Sequence, residues 1–244
     1  MDADDITVGR VLTRREVVAL LGASTAALAT GASLVPKRGL WPSGFPSCMA
    51  RPEQTEGPYF VDERLNRSDI RSDPTSGVVS PGVPLALSFV ISRITQGACE
   101  PLPEAQIDVW QCDAAGVYSD VSDPGFNSVG QKFLRGYQLT DEAGHAAFRT
   151  IYPGWYRGRT VHIHFKVRAP AASTRAAEFT SQIYFDDAVT DRVHALLPYS
   201  DRGRRTVRNN DDGIFRRGGD QLLVTPQAVG ESYEATFSLG LQLS

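Results

Sequence analysis

Residues 146–168 read AAFRTIYPGWYRGRTVHIHFKVR. Two apolar runs, Ala146–Ile151 and Thr160–Arg168, flank a stretch broken by Pro153, Gly154 and Gly158. In the second run His162 and His164 flank Ile163. On a strand, residues two apart share a face, so the two imidazoles project together and Ile163 points to the other face, toward a core. The same texture recurs outward from here. Short apolar or alternating runs appear at Leu85–Ile94, Ile107–Cys112, Phe133–Leu139, Phe179–Phe185, Gln221–Thr225 and Tyr233–Leu243. Gly, Pro or Asp separates many of them. That spacing predicts an all-β fold, an antiparallel β-sandwich with long loops and at most one or two short helices. Ala188–Leu197 reads as a helix, with Asp187 as its N-cap.

Composition bounds the rest. The 244 residues are 41% hydrophobic and 22% charged, which are globular proportions and exclude wholesale disorder. The length suits one domain with a small appendage. Lys and Arg number 25 against 28 Asp and Glu, a net charge of −3. No basic excess is present to hold a phosphate backbone, so nucleic acid is not an expected partner. Three cysteines, Cys48, Cys99 and Cys112, are too few for a disulfide framework or an all-cysteine zinc site.

The chain divides into three stretches. Residues 1–35 place Thr13-Arg14-Arg15 before an uncharged, Ala-, Gly-, Ser- and Thr-rich stretch from Val17 to Val35. A paired arginine before a mildly apolar segment is the pattern of a twin-arginine export signal, and Ala27-Leu28-Ala29 supplies a small-x-small cleavage site. Asp2, Asp4 and Asp5 depart from that pattern, and an anchor or a buried helix is the competing reading. The expectation is export to the periplasm or the exterior, with no stable membrane span after processing. Residues 36–80 are Pro-rich and irregular, and they read as an N-terminal arm packed on the core through Trp41, Phe45, Tyr59 and Phe60. Residues 81–244 form the sandwich domain. In an oxidising compartment a disulfide becomes available. Cys112, inside DVWQCD, reads as a buried small hydrophobe, which leaves Cys48 and Cys99 as the pair. RGRR at 202–205, close to Asn209-Asn210-Asp211-Asp212, reads as a solvated loop.

The histidine pair carries the chemistry. Side chains two apart on one strand face sit roughly 6–7 Å apart at the backbone, a span that one metal ion bridges. No cysteine or carboxylate lies near the pair in sequence, so zinc-type and facial-triad ligand sets are incomplete locally. Tyrosines do lie near: Tyr152 and Tyr156 just upstream, and Tyr118 in GVYSD further off. A phenolate is a hard anionic oxygen donor that suits ferric iron. For any one of these tyrosines the competing reading is a half-buried aromatic with its hydroxyl bonded to backbone.

An ordered set of motifs then resembles a known family. TEGPYF (55–60), DVWQCDAAGVYSD (108–120), FLRGYQLTDEAGHAAFRTIYPGWY (133–156), RTVHIHF (159–165) and TSQIYFDD (180–187) together resemble the intradiol ring-cleavage dioxygenases, over roughly residues 50–240. The resemblance implies a non-haem Fe(III) held by two tyrosines and two histidines. Tyr118 and Tyr156 match the tyrosine positions, and His162 and His164 match the histidines. Tyr152 competes with Tyr156, but Pro153-Gly154-Trp155 supplies the step that precedes the family's second tyrosine. Arg159 and Gln182 match pocket residues beside the bound catechol, and the EGP loop puts Pro58 and Tyr59 near the ring. The resemblance implies a small catechol-type substrate and O2, with ring opening between the hydroxylated carbons to a muconate-type diacid. Tyr156 is the tyrosinate it would displace, acting as a base on the catechol. One departure is a Tyr156-to-His162 segment shorter than in protocatechuate 3,4-dioxygenases. Homo-oligomerisation is left open.

Strand alternation alone would put Arg159 on the face opposite His162. The family reading therefore requires irregular backbone before Val161, and Gly158 allows it. The rival readings are a transthyretin-like β-sandwich binding module without iron and a metal-dependent hydrolase using His162 and His164. A Ser-His-Asp hydrolase is disfavoured, since no Gly-x-Ser-x-Gly elbow occurs.

Overall fold

The computed structural model of the chain describes residues 49–96, 98–170 and 178–243. The expected export segment, Trp41, Phe45 and Cys48 lie outside the described residues. Two sheets pack face to face. One contains β1 (Pro84–Thr95), β2 (Ala98–Pro101), β7 (His145–Ile151), β11 (Gln227–Val229) and β12 (Ser232–Gln242). The other runs in the order β10 (Leu223–Val224), β9 (Glu178–Phe185), β8 (His162–Arg168), β3 (Gln106–Trp110), β6 (Arg135–Leu139). A small hairpin of β4 (Ser122–Asp123) and β5 (Phe126–Asn127) stands apart from both.

The all-β expectation holds, and most pairings are antiparallel. Two are parallel: β1 with β12, and β9 with β10. Period-two alternation encodes which face is buried but not strand direction, so no sequence pattern distinguishes these pairings. Leu85, Leu87, Phe89 and Ile91 of β1 are all buried, as are Phe237 and Leu239 of β12 and Ile163, Phe165 and Val167 of β8. Phe89, Phe165 and Phe237 join the two sheets, with centroids 5.5, 6.1 and 5.0 Å apart pair by pair. Truncating such a phenylalanine to alanine costs about 3–5 kcal/mol.

The outward face of β8 is buried as well, which a sandwich alone does not explain. Residues 52–62 lie across it. Gln54 N donates to Thr180 O at 3.0 Å, and Lys166 pairs with Glu56. Phe60 packs edge-on against Trp110 at 4.8 Å, with Lys166 Nζ 4.3 Å from its ring centre. The arm therefore roofs the face that carries His162 and His164.

The α-helix among the described residues, α1, spans Asp187–His194. Its N-cap is Asp186 and not Asp187: the Asp186 carboxylate accepts from Ala188 N and Val189 N at 2.8 and 3.3 Å. Asp187 sits one residue further in and pairs with Arg205. Either aspartate could cap by sequence alone, and Arg205 decides between them. RGRR with the asparagine-aspartate run is likewise not a wholly solvated loop. The Arg205 side chain is held by Asp187 and Asp191, and Asn209 and Asp212 are buried.

Candidate metal centre

His162 opens β8, and cross-strand pairing sets Tyr184 beside it and both Trp110 and Gln182 beside His164. His162 Nδ1 lies 2.7 Å from the Thr160 carbonyl oxygen. A carbonyl only accepts, so Nδ1 carries the proton and the Nε2 lone pair faces the other way. Three polar atoms gather around that nitrogen. His164 Nε2 is 3.0 Å away, Tyr156 Oη 3.3 Å and Tyr118 Oη 3.5 Å.

Two loops carry the tyrosines to this point. Tyr118 follows the turn at Asp113, whose carboxylate accepts from Ala115 N and Val117 N at 2.9 Å. Tyr156 follows Pro153-Gly154-Trp155. Gly154 N donates to Asp113 O at 3.2 Å, and a Cβ on Gly154 would lie 2.3 Å from that same oxygen. Glycine thus permits the backbone contact that brings the two phenols together. Tyr59 of the arm stacks on Tyr118 with centroids 4.5 Å apart, and its hydroxyl donates to Asp123 at 2.9 Å. Pro58, beside it, is exposed.

Tyr152 points elsewhere. It is buried in the main core, its hydroxyl is 2.8 Å from Thr190 Oγ1, and its ring packs on Phe185. The residues from Tyr152 to Val161 are not strand, and Gly158 has φ +88°. The irregular backbone that Arg159 needs is therefore present. Arg159, 6% exposed, donates from Nη2 to Gln182 Oε1 at 2.6 Å. Gln182 Nε2 in turn donates to Thr55 O at 3.0 Å, which ties the pocket to the arm.

Burial sets the protonation states. Both imidazoles lie well below the ordinary histidine range: desolvation acts first, then positive Arg159 for His162, and His162, Arg159 and Arg135 for His164. Both are therefore neutral and able to ligate at pH 7. Desolvation, followed by Tyr156 and Cys112, pushes Tyr118 well above the ordinary phenol range. In this pocket only a cation would make it a phenolate. His164 Nδ1 is buried without a hydrogen-bond partner. Four inward-facing donors, two of them neutral imidazoles, make a site that could hold a metal ion. Among the described residues no three His, Cys, Asp or Glu side chains form a metal-ligand group, so the phenols are what complete this one.

Comparison with known proteins shows the family. Residues 55–196, more than half of the chain, match the family model described as Dioxygenase. An intradiol ring-cleavage dioxygenase from Tetranychus urticae superposes with a TM-score of 0.70 at 30% identity, over 80% of this chain and 95% of that one. The chain belongs to the intradiol ring-cleavage dioxygenases. The dioxygenase domain of a dioxygenase carbohydrate-binding protein fusion from Streptomyces sp. SirexAA-E superposes with a TM-score of 0.58 at 30% identity, over 80% of this chain and all of that one. Catechol 1,2-dioxygenase of Candida albicans is 34% identical over 151 residues, 52% of this chain and 45% of that protein. The protocatechuate 3,4-dioxygenase beta chain of Burkholderia cepacia is 31% identical over 137 residues, 52% of this chain and 56% of that one. The chain spans about half the length of these curated relatives.

Several residues of this candidate site escape a sequence reading. Trp110 lies against His164, Thr160 accepts from His162, and Asp212 pairs with Arg159 at 2.9 Å. Their partners are 54, 2 and 53 positions away, and only Thr160, two residues before His162, is local to its partner.

Proposed function

We propose that this protein is a non-haem Fe(III) intradiol dioxygenase acting on a catechol-type aromatic. The observation that supports the reading best is the gathering of Tyr118 Oη, Tyr156 Oη and His164 Nε2 within 3.5 Å of His162 Nε2. Two phenolates and two imidazoles suit a ferric ion, leaving a net charge of about +1 on the centre. A ferric ion held there would supply the Lewis acidity and the electron-accepting centre that let a catecholate ring react with O2.

The chain's own groups then divide the work. Tyr118 is fully buried beneath Tyr59, whereas Tyr156 is only partly buried. Tyr156 therefore has room to swing and take a catechol proton on Oη, and Tyr118 stays in place. Arg159 sets a guanidinium beside the pocket, where anionic character develops on the ring oxygens, and Gln182 orients it. Pro58 and Tyr59 wall the ring. Catechol plus O2 gives a muconic acid, with one oxygen atom added to each carbon that carried a hydroxyl. We also propose export by the twin-arginine route, on the strength of Thr13-Arg14-Arg15 and the uncharged stretch after it.

The test is iron content, colour and oxygen uptake on one preparation. One ferric ion per chain, a reddish colour from tyrosinate-to-iron charge transfer, and stoichiometric O2 use with catechol are expected. A colourless protein with full zinc occupancy and no O2 uptake would sink the reading.

A further inference from the structure

Asp212 lies beyond residue 196, where the family match ends, in a run that reads as solvated. It is 1% exposed. Its Oδ1 accepts from Ile214 N and Phe215 N at 2.7 and 2.9 Å. Its Oδ2 accepts from Arg159 Nε at 2.9 Å and from Thr160 N at 2.8 Å. Two donors thus share one oxygen, and both belong to the segment that leads into His162. The other end of the guanidinium, Nη2, is on Gln182. The Thr160 carbonyl accepts from His162 Nδ1, and Thr160 Oγ1 bonds Asn209 Oδ1 at 2.6 Å.

We infer that Asp212 is a positioning residue of this site: its carboxylate fixes the direction in which Arg159 presents its guanidinium to the substrate. The inference rests on the dioxygenase reading above. A guanidinium is a planar fork, and anchoring Nε at one end and Nη2 at the other leaves it little rotational freedom. The anchor is buried, so solvent does not weaken it as it would a surface pair. The bland reading is a loop anchor, since two of the four hydrogen bonds are to backbone N–H groups of the same turn. Such an anchor would act on folding and not through Arg159.

A double-mutant cycle separates the two. The enzyme is compared with Asp212→Asn, Arg159→Gln and the double variant, each loaded with iron and assayed with catechol. In Asp212→Asn the side-chain amide oxygen can still accept from Thr160 N, but the ion pair is gone. Asp212→Asn is expected to lower kcat/KM about 10- to 100-fold at full iron content. Arg159→Gln is expected to lower it on the order of 10²–10³-fold. The double variant should match Arg159→Gln within about threefold, because the aspartate acts through the arginine. Losses that multiply, or an Asp212→Asn variant at wild-type kcat/KM, overturn the inference.

If Asp212→Asn does not fold, Arg159→Lys carries the test. Lysine keeps the charge but cannot span Asp212 and Gln182 together, so full kcat/KM in that variant overturns the inference. If the iron-loaded wild type cleaves no catechol, the catalytic reading fails separately. The cycle is then read from catechol affinity, measured as a colour change, with the same non-additivity expected.

Discussion

The indole of Trp110 lies parallel to the imidazole of His164, with ring centroids 5.1 Å apart and planes 8° from each other. His162 is oriented by a hydrogen bond from Nδ1 to Thr160 O, but His164 Nδ1 has no such partner. Stacking therefore does for His164 what a hydrogen bond does for His162. Phe60 of the arm also packs edge-on against Trp110. Trp110→Leu should leave His164 free to rotate and weaken metal retention about 10- to 100-fold, the usual cost of losing a residue that orients a ligand. Trp110→Phe should lose less. Dialysis against a chelator, followed by iron analysis, checks both, and unchanged retention in Trp110→Leu would refute the role.

His162→Ala and His164→Ala should each empty or bleach the site. Tyr152→Phe should keep iron and colour, since that hydroxyl is 2.8 Å from Thr190 Oγ1 and turned toward the core. Its expected cost is about 1 kcal/mol of stability from one lost buried hydrogen bond. Absorption spectra and thermal unfolding of the three variants decide the matter. Full colour in His162→Ala, or a bleached Tyr152→Phe, would reverse the assignment.

Much of this arrangement is legible in the sequence, for physical reasons. The His162–His164 pair shows itself because strand geometry is local: two positions apart means one face. Tyr156 is told from Tyr152 only by the family resemblance, in which a Pro-Gly-x step precedes the second tyrosine, and not by local geometry. Asp212 and Asn209 are not legible. A polar run beside RGRR has the composition of a solvated loop, and only tertiary packing against Thr160 and Phe185 buries it. The Trp110–His164 stack is hidden for the same reason, because cross-strand register brings the two together. Strand direction is hidden too, and the parallel β1–β12 pair leaves no mark on either strand's alternation.

Gly154 should tolerate no side chain. A Cβ there would lie 2.3 Å from Asp113 O and 2.6 Å from Ala114 O, both backbone atoms that cannot step aside. Gly154→Ala must push the Tyr156 loop away from the Tyr118 loop. We expect a loss on the order of 2 kcal/mol in stability, with reduced iron content in the fraction that folds. Wild-type melting temperature and iron content together would contradict the contact.

Thiol chemistry gives an independent check on the core. Cys112 is free and buried, and burial pushes its thiol well above the usual range. Cys99 is disulfide-bonded. Native protein should therefore react with no thiol reagent. Denatured, unreduced protein should titrate one thiol, with three appearing only after reduction. Three thiols without reductant would refute the disulfide.

Iron uptake by the metal-free protein should release protons. Burial holds Tyr118 well above the ordinary phenol range, and both histidines lie well below theirs. A phenol, with a free pKa of about 10, enters such a site protonated at neutral pH. The imidazoles are neutral, and a neutral imidazole that ligates through Nε2 keeps its one proton on Nδ1, so neither releases a net proton. Binding a ferric ion through two phenolates then expels two protons. The sign follows directly: raising the pH favours the loaded form. Apparent affinity, measured against a chelator whose own protonation is corrected for, should rise about 100-fold per pH unit between about pH 6.5 and 8. Tyr156→Phe should halve that slope on a logarithmic scale, since one phenol remains to be deprotonated. Tyr118→Phe should do the same, although it also removes the ring on which Tyr59 stacks. An affinity that does not change with pH in the wild type would mean that neither phenol binds the metal as an anion, and the proposed ligand set would have to be abandoned.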